Sequence, residues 1–169
     1  LDCTLDILLL SRTGMSIRGH ADGIPVMGRA TSGVKGMALE PGDEVMFAAQ
    51  PQPGDQVLLV SERGFAKRVL YMDFEPQARG GKGVKSIYFN KSGSNGTMVA
   101  GAMLLGEQPG NALLMQKRSA PSLLVTTEVL LQGKQDKGMP YVMAILDDVI
   151  TGVMACPVVG EPSEDSTDN

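Results

Sequence analysis

The stretch Gln77-Ala78-Arg79-Gly80-Gly81-Lys82-Gly83-Val84-Lys85 sets Arg79, Lys82 and Lys85 within seven residues and interrupts them with three glycines. Glycine lets a backbone take positive φ and lets a bulky partner come close. Such a loop can present side-chain cations and bare amides to an anion, as phosphate contact requires. A single basic, Gly-rich loop is as easily a solvated turn. Its recurrence in the chain gives it weight.

Residues 57–68, Val57-Leu58-Leu59-Val60-Ser61-Glu62-Arg63-Gly64-Phe65-Ala66-Lys67-Arg68, overlie the first hairpin-like stretch at an offset of 50. Leu8 matches Leu58, Ser11 matches Ser61, Gly14 matches Gly64 and Arg18 matches Arg68. In the same register Arg29, Gly33, Val34 and Lys35 match Arg79, Gly83, Val84 and Lys85. Eight identities in one register mark an internal repeat. A third, more worn copy follows at an offset of 55, where Leu58 meets Leu113, Gln77 meets Gln132, Arg79 meets Lys134, Lys82 meets Lys137 and Gly83 meets Gly138. Each copy keeps a basic residue four positions before a closing glycine.

Within a copy the pattern is of short strands and turns. Residues 7–11 are an apolar strand, 12–14 a turn and 15–18 an alternating return strand; 34–39 alternate like a strand, 40–43 turn, and 44–49 form another strand. The third copy predicts strands over 139–145 and from 149 to 153 or a little beyond. Residues 123–131 come nearest to a helical period, but their β-branched content favours strand. A unit of about fifty residues with four short strands is the signature of a propeller-like blade. The reading is therefore all-β, with about three blades of four antiparallel strands over 1–50, 51–108 and 109–158. Three blades do not close a ring. A start inside a blade predicts further blades before Leu1, with an open curved array as the other option.

Aromatics make up 4% of the chain and Trp is absent, so Leu, Val, Ile and the 11 methionines are expected to fill the core. The net charge of −4 argues against a uniformly basic surface. Residues 159–169 are an acidic tail expected to be disordered. It carries four acidic residues and no basic one, so the rest of the chain is neutral overall, with its cations gathered in loops. No apolar run is long enough for a membrane span, and residues 1–6 lack a basic signal-peptide start. Cys3 and Cys156 are expected to be free thiols, with a terminal disulfide as the lesser reading. One histidine and no Cys/His cluster leave no basis for a metal site.

The residues 8–14 with Arg18, the segment 27–34 and the segment 77–83 together resemble the repeats of the C-terminal domain of bacterial type IIA topoisomerase A subunits, those of DNA gyrase and topoisomerase IV. The resemblance covers roughly residues 5–155. It implies a β-pinwheel, a propeller-like disc whose basic outer rim binds and bends duplex DNA without sequence specificity. It also implies partners: duplex DNA, the ATPase B subunit, plus the catalytic core of the same A subunit, in the cytoplasm on the nucleoid. ATP and Mg belong to that parent enzyme, and no cofactor is expected on this chain. The gyrase hallmark, a Gln-basic-Arg-Gly-Gly-basic-Gly box associated with wrapping, is met at Gln77, Arg79, Gly80, Gly81, Lys82 and Gly83. Ala78 departs from it. The box also sits one repeat from the end here, whereas in gyrases it lies in the first of six blades. Gyrase and topoisomerase IV thus both remain open. The family's cleaving tyrosine follows an arginine; here Tyr71, Tyr88 and Tyr141 follow Leu70, Ile87 and Pro140, and no Gly-x-x-x-x-Gly-Lys-Ser/Thr loop is present.

The expected DNA contacts are the loop cations Arg29, Lys35, Arg79, Lys82, Lys85, Lys134 and Lys137, with Arg18, Lys67 and Arg68 supporting them from strand ends. Gln77, Gly80, Gly81 and Gly83 complete the set. Lys117 and Arg118 read as solvated turn residues, His20 as a surface histidine, Asp147-Asp148 as a solvated turn, and Ser11 and Ser61 as turn-forming hydroxyls. The alternative function is a propeller-like protein-interaction module whose basic loops meet an acidic partner. A propeller hydrolase ranks last, because cations recur in register and carboxylates do not.

Overall fold

A computed structural model describes residues 2–145 and 147–157; the acidic tail expected over 159–169 lies outside the described residues. Eleven strands run in chain order: β1 Asp6–Ser11, β2 Met15–His20, β3 Val45–Ala49, β4 Gln56–Ser61, β5 Phe65–Leu70, β6 Val84–Lys85, β7 Val99–Leu105, β8 Asn111–Gln116, β9 Ser122–Leu124, β10 Met139–Pro140 and β11 Ile150–Cys156. They form antiparallel sheets in the orders β3-β1-β2-β6, β10-β5-β4-β7 and β11-β8-β9. The repeat is visible in the registers. Leu8 pairs with Arg18 as Leu58 pairs with Arg68, and Leu113 pairs with Leu123.

The middle sheet explains the packing. Side chains alternate across a strand, so Val57 and Leu59 enter one inter-sheet core with Leu8, Leu10, Val69, Tyr71, Phe74, Ile87 and Val99. Leu58 and Val60 enter the other, with Ala100, Leu105, Ala112, Leu114, Val129 and Ile150. A strand buried on both faces reads as an unbroken apolar run, which is what Val57-Leu58-Leu59-Val60 is. All four are fully buried. Fully burying such a side chain contributes roughly 1.5–3 kcal/mol, so this strand anchors the stack.

Each of the first two sheets borrows its fourth strand from the following repeat: β6 pairs with β2, and β10 with β5. The strand predicted over 34–39 is not formed. Its counterparts in the later copies pair with the return strand of the preceding repeat, and among the described residues 34–39 have no such pairing. The strand predicted over 139–145 shortens to β10 for a related reason. Only Met139 and Pro140 meet β5, and the chain then turns away, with Tyr141 and Val142 donating their amides to the Gly64 carbonyl. Residues 126–128, within the segment read as strand, form a 3-10 turn that recurs at Ala21–Gly23 and Tyr71–Asp73. Methionine fills less of the core than composition suggested, with Met46 and Met103 packed against its margins. Met37 is buried, but Met27, Met72, Met98, Met139, Met143 and Met154 are exposed, because they lie in loops and at sheet edges.

Polar devices hold the hairpin ends. Ser11 and Ser61 are buried, and their hydroxyls accept the Met15 and Phe65 amides at 3.2 and 3.3 Å. In the third copy a serine replaces the turn glycine, and Asp148 holds the turn. It is buried rather than solvated, and accepts the Arg118, Ser119 and Val149 amides at 2.9–3.0 Å. Hydrogen bonding from Ser119 leads the effects that pull its carboxyl down to about 2, against the cost of desolvation. A folded-state value below the ordinary carboxylate range means a stabilising contribution that is complete above about pH 4 and is lost as pH falls towards 2. Urea midpoints are therefore expected to fall more steeply with acid in the natural protein than in Asp148→Asn, measured from about pH 5 downward; parallel curves would remove Asp148 from the account.

Candidate nucleic-acid interface

The loop 77–83 rests on the preceding repeat through backbone bonds. Gln77 donates its amide to the Arg18 carbonyl at 2.7 Å, Gly80 to the Gly36 carbonyl at 2.8 Å, and Ala38 in turn to the Gly81 carbonyl at 2.8 Å. The Arg79 guanidinium reaches the Lys35 carbonyl at 3.2 Å. The third loop repeats the scheme one step on: Gln132 donates to the Arg68 carbonyl at 2.8 Å and Tyr88 to the Asp136 carbonyl at 3.3 Å. Successive loops are thus stitched along a single edge of the stack, and the Lys85 ammonium lies 4.7 Å from the Tyr88 ring centroid at the join.

Lys35, Arg79, Lys82, Lys85 and Lys137 are exposed on that edge, Arg29 is exposed farther along the first loop, and Lys134 is half-buried with its ammonium 5.8 Å from the Phe74 ring. Lys82 lies 3.6 Å from Glu40. Both are well exposed, and such pairs contribute little and release easily. Of the loop glycines, Gly80 has φ +83° and Gly83 has φ +74°, and a Cβ on Gly83 would collide with the Ser16 carbonyl oxygen. Gly81 differs. Its φ is ordinary and a Cβ would find its nearest neighbour at 3.5 Å, while the third copy carries Asp136 there. The fold tolerates a side chain at this place, so its absence in the second loop keeps the surface open for an outside group.

The three cations expected to support the rim from strand ends are placed otherwise. Arg18 donates to Asp6 at 2.7 Å and to the Phe74 carbonyl at 2.9 Å, with its guanidinium 4.3 Å from the Tyr71 ring centroid. Arg68 repeats this on the next repeat, donating to the Val129 carbonyl at 2.6 Å and to Gln56 at 2.9 Å. These arginines are rivets between consecutive repeats. Burial pushes the Asp6 carboxyl up, but hydrogen bonds from Arg18 and His20 bring it below its ordinary value. Lys67 is fully buried beneath the third loop, with no face towards solvent. Strand ends, unlike loops, lie where the next repeat lands, and its carbonyls claim these donors.

Lys91, exposed in the insertion that widens the offset from 50 to 55, is a cation that motif reading passed over. The shift of register is the signal that could have drawn attention to it. His20 is exposed with Asp6 as its partner at 2.6 Å, and Cys3 and Cys156 are free. Among the described residues no group of three or more His, Cys, Asp or Glu side chains could hold a metal, and no helix is long and apolar enough to cross a membrane.

Comparison with known proteins fits this architecture. The family described as DNA gyrase C-terminal domain, beta-propeller, matches residues 5–51 and 55–95. The DNA gyrase A subunit of Pseudomonas aeruginosa is 33% identical over 165 residues, which are 96% of this chain and 17% of that protein. A solved DNA gyrase A C-terminal domain superposes with a TM-score of 0.75 at 28% identity, over 88% of this chain and 50% of that one. A solved C-terminal domain of DNA topoisomerase IV superposes with a TM-score of 0.82 at 17% identity, over 90% of this chain and 47% of that one, a likeness of fold. The chain spans about half of those solved domains and about a sixth of the full-length relative. With its strand-sharing sheets, its recurring basic loops and these matches, the chain belongs to the DNA gyrase C-terminal-domain family, the β-pinwheel domains of type IIA topoisomerase A subunits.

Proposed function

We propose that this chain binds duplex DNA along its stitched rim and bends it, chiefly through phosphate contacts with little base readout, as a DNA-holding part of a topoisomerase A subunit that works with that subunit's catalytic core and an ATPase B subunit on the bacterial nucleoid. The observation that carries the reading is the chain of backbone bonds linking successive basic loops, Gly80 and Gly81 to residues 36–38 and Asp136 to Tyr88. On this reading Lys35, Arg79, Lys82, Lys85, Lys134 and Lys137 act as one row of cations, with Arg29 beyond its start. Bending 20–30 base pairs by 40–90° costs on the order of 1–6 kcal/mol. Charge-assisted hydrogen bonds of about 1.5–3 kcal/mol each can offset this when several act together. One loop alone holds DNA weakly; a row can bend it.

Binding to duplexes of about 40 and 150 base pairs across a salt series tests this. If about six phosphates are neutralised, the logarithm of the binding constant falls against log salt with a slope near −5. Arg79→Ala with Lys82→Ala is expected to flatten the slope by about 2 and to weaken binding to all sequences alike. Binding that ignores salt, or that leaves the slope untouched by these changes, sinks the reading. A topology assay on ligated circles then separates gyrase-like wrapping, which changes linking number with one hand, from simple bending.

A further inference from the structure

Lys67 is among the largest fully buried side chains of the described residues. Its ammonium donates to the carbonyl oxygens of Gly133 at 2.8 Å, Lys134 at 3.0 Å and Asp136 at 2.9 Å, so all three of its hydrogens serve the third loop. Burial draws it down to about 8, with the Asp136 carboxylate pulling the other way. That carboxylate accepts the Gly133 amide at 2.8 Å, and the loop is also held by Asn95, which donates to the Lys137 carbonyl at 3.1 Å, and by Gln132, which accepts the Gly138 amide at 3.1 Å. The preceding copy solves the same place without charge: Ile17 occupies the position of Lys67, and Gly81 that of Asp136. Between the second and third loops, then, an apolar pair has become a buried cation and a capping carboxylate.

The carbonyls of the third loop turn inward to the ammonium. Among the described residues, the amides of Lys134, Gln135 and Lys137 donate to no protein acceptor. Asp73 and Glu75 line the cleft beside this loop, so net charge there is not strongly positive. Placement rather than quantity of charge has to make the loop useful to an anion. We propose that Lys67 is a positioning residue: its buried ammonium fixes the third loop so that Lys134, Lys137 and the unbonded amides meet a phosphate of the duplex, while Lys67 itself touches no DNA. This rests on the rim reading above.

The test uses the whole chain and a duplex of about 40 base pairs over a salt series. Lys67→Ile with Asp136→Gly rebuilds the pairing of the second loop, leaves net charge unchanged, and is paired with Lys67→Met. Lys67→Met is expected to weaken binding about tenfold, to about the level of Lys134→Ala with Lys137→Ala, and to speed amide exchange over 133–138 in free protein, whereas the rebuilt pairing, which seats the second loop without charge, is expected to restore both. Adding the Lys67 change to that lysine pair is expected to do nothing more, since residues acting as one unit are not additive. Full affinity in the Lys67→Met protein, no recovery in the Lys67→Ile, Asp136→Gly protein, or an additive loss in the combined protein, overturns the positioning role while leaving the rim reading intact. Absence of binding by the unaltered chain overturns both, and is measured first. Should Lys67→Met fail to fold, Lys67→Gln, which keeps a polar group with fewer donors, decides.

Discussion

Gly83→Ala is expected to destabilise the protein by about 3–5 kcal/mol, well beyond the usual surface substitution. Two effects add. The residue has φ +74°, where an L side chain costs roughly 1–2 kcal/mol, and a Cβ there would collide with the Ser16 carbonyl oxygen and stand 2.8 Å from its carbon. That backbone belongs to β2, the strand that β6 must reach, so relief of the clash undoes the Ser16–Val84 pairing and the Ser16 hydroxyl's bond to the Val84 carbonyl at 3.1 Å. Gly33 is the internal control. It has φ +79° and, among the described residues, nothing within 4 Å of a Cβ. Gly33→Ala should cost only about 1–2 kcal/mol. Urea denaturation of the two variants checks the difference; equal losses would mean that β6 does not dock on β2.

Arg18→Ala is expected to cost about 3 kcal/mol, because it leaves the largely buried Asp6 carboxylate with His20 alone and opens the Phe74 carbonyl. The side chains of both ion-pair partners are 13% exposed, which keeps solvent from repairing the loss. The same change should leave the salt slope of DNA binding unaltered once stability is allowed for, since the guanidinium is held against Asp6, the Phe74 carbonyl and the Tyr71 ring. Arg68→Ala should behave alike but more mildly, because its side-chain partner is the neutral Gln56. A slope flatter by about 1 with unchanged stability would return Arg18 to the list of phosphate contacts.

The architecture was legible where pattern and chemistry agree. Val57-Leu58-Leu59-Val60 announces a strand covered on both sides, and the matched Gly14 and Gly64 mark its hairpins. The two-residue strands were not legible in length, because a partner in the adjacent repeat, rather than local propensity, decides where they begin and end. At the rim, loops with closing glycines were readable as loops. Arg18, Lys67 and Arg68 were misleading because charge type was allowed to outweigh alternation. Lys67 lies two residues from Val69 and opposite Leu59, on the face that looks into the core. Period two alone places it inside. What no periodicity supplies is the reason it is tolerated there, three carbonyls from a loop 66 to 69 residues away.

The borrowed strand has a mechanical meaning. The loop that carries Arg79 and Lys82 runs without interruption into Val84 and Lys85, which are hydrogen-bonded across the sheet of the preceding repeat. A pull applied at either cation is therefore resisted by a neighbouring sheet through bonds loaded in shear, instead of peeling a hairpin from its own end. A load on the second or third loop is spread over two sheets, and the stack resists it as interlocked shingles do.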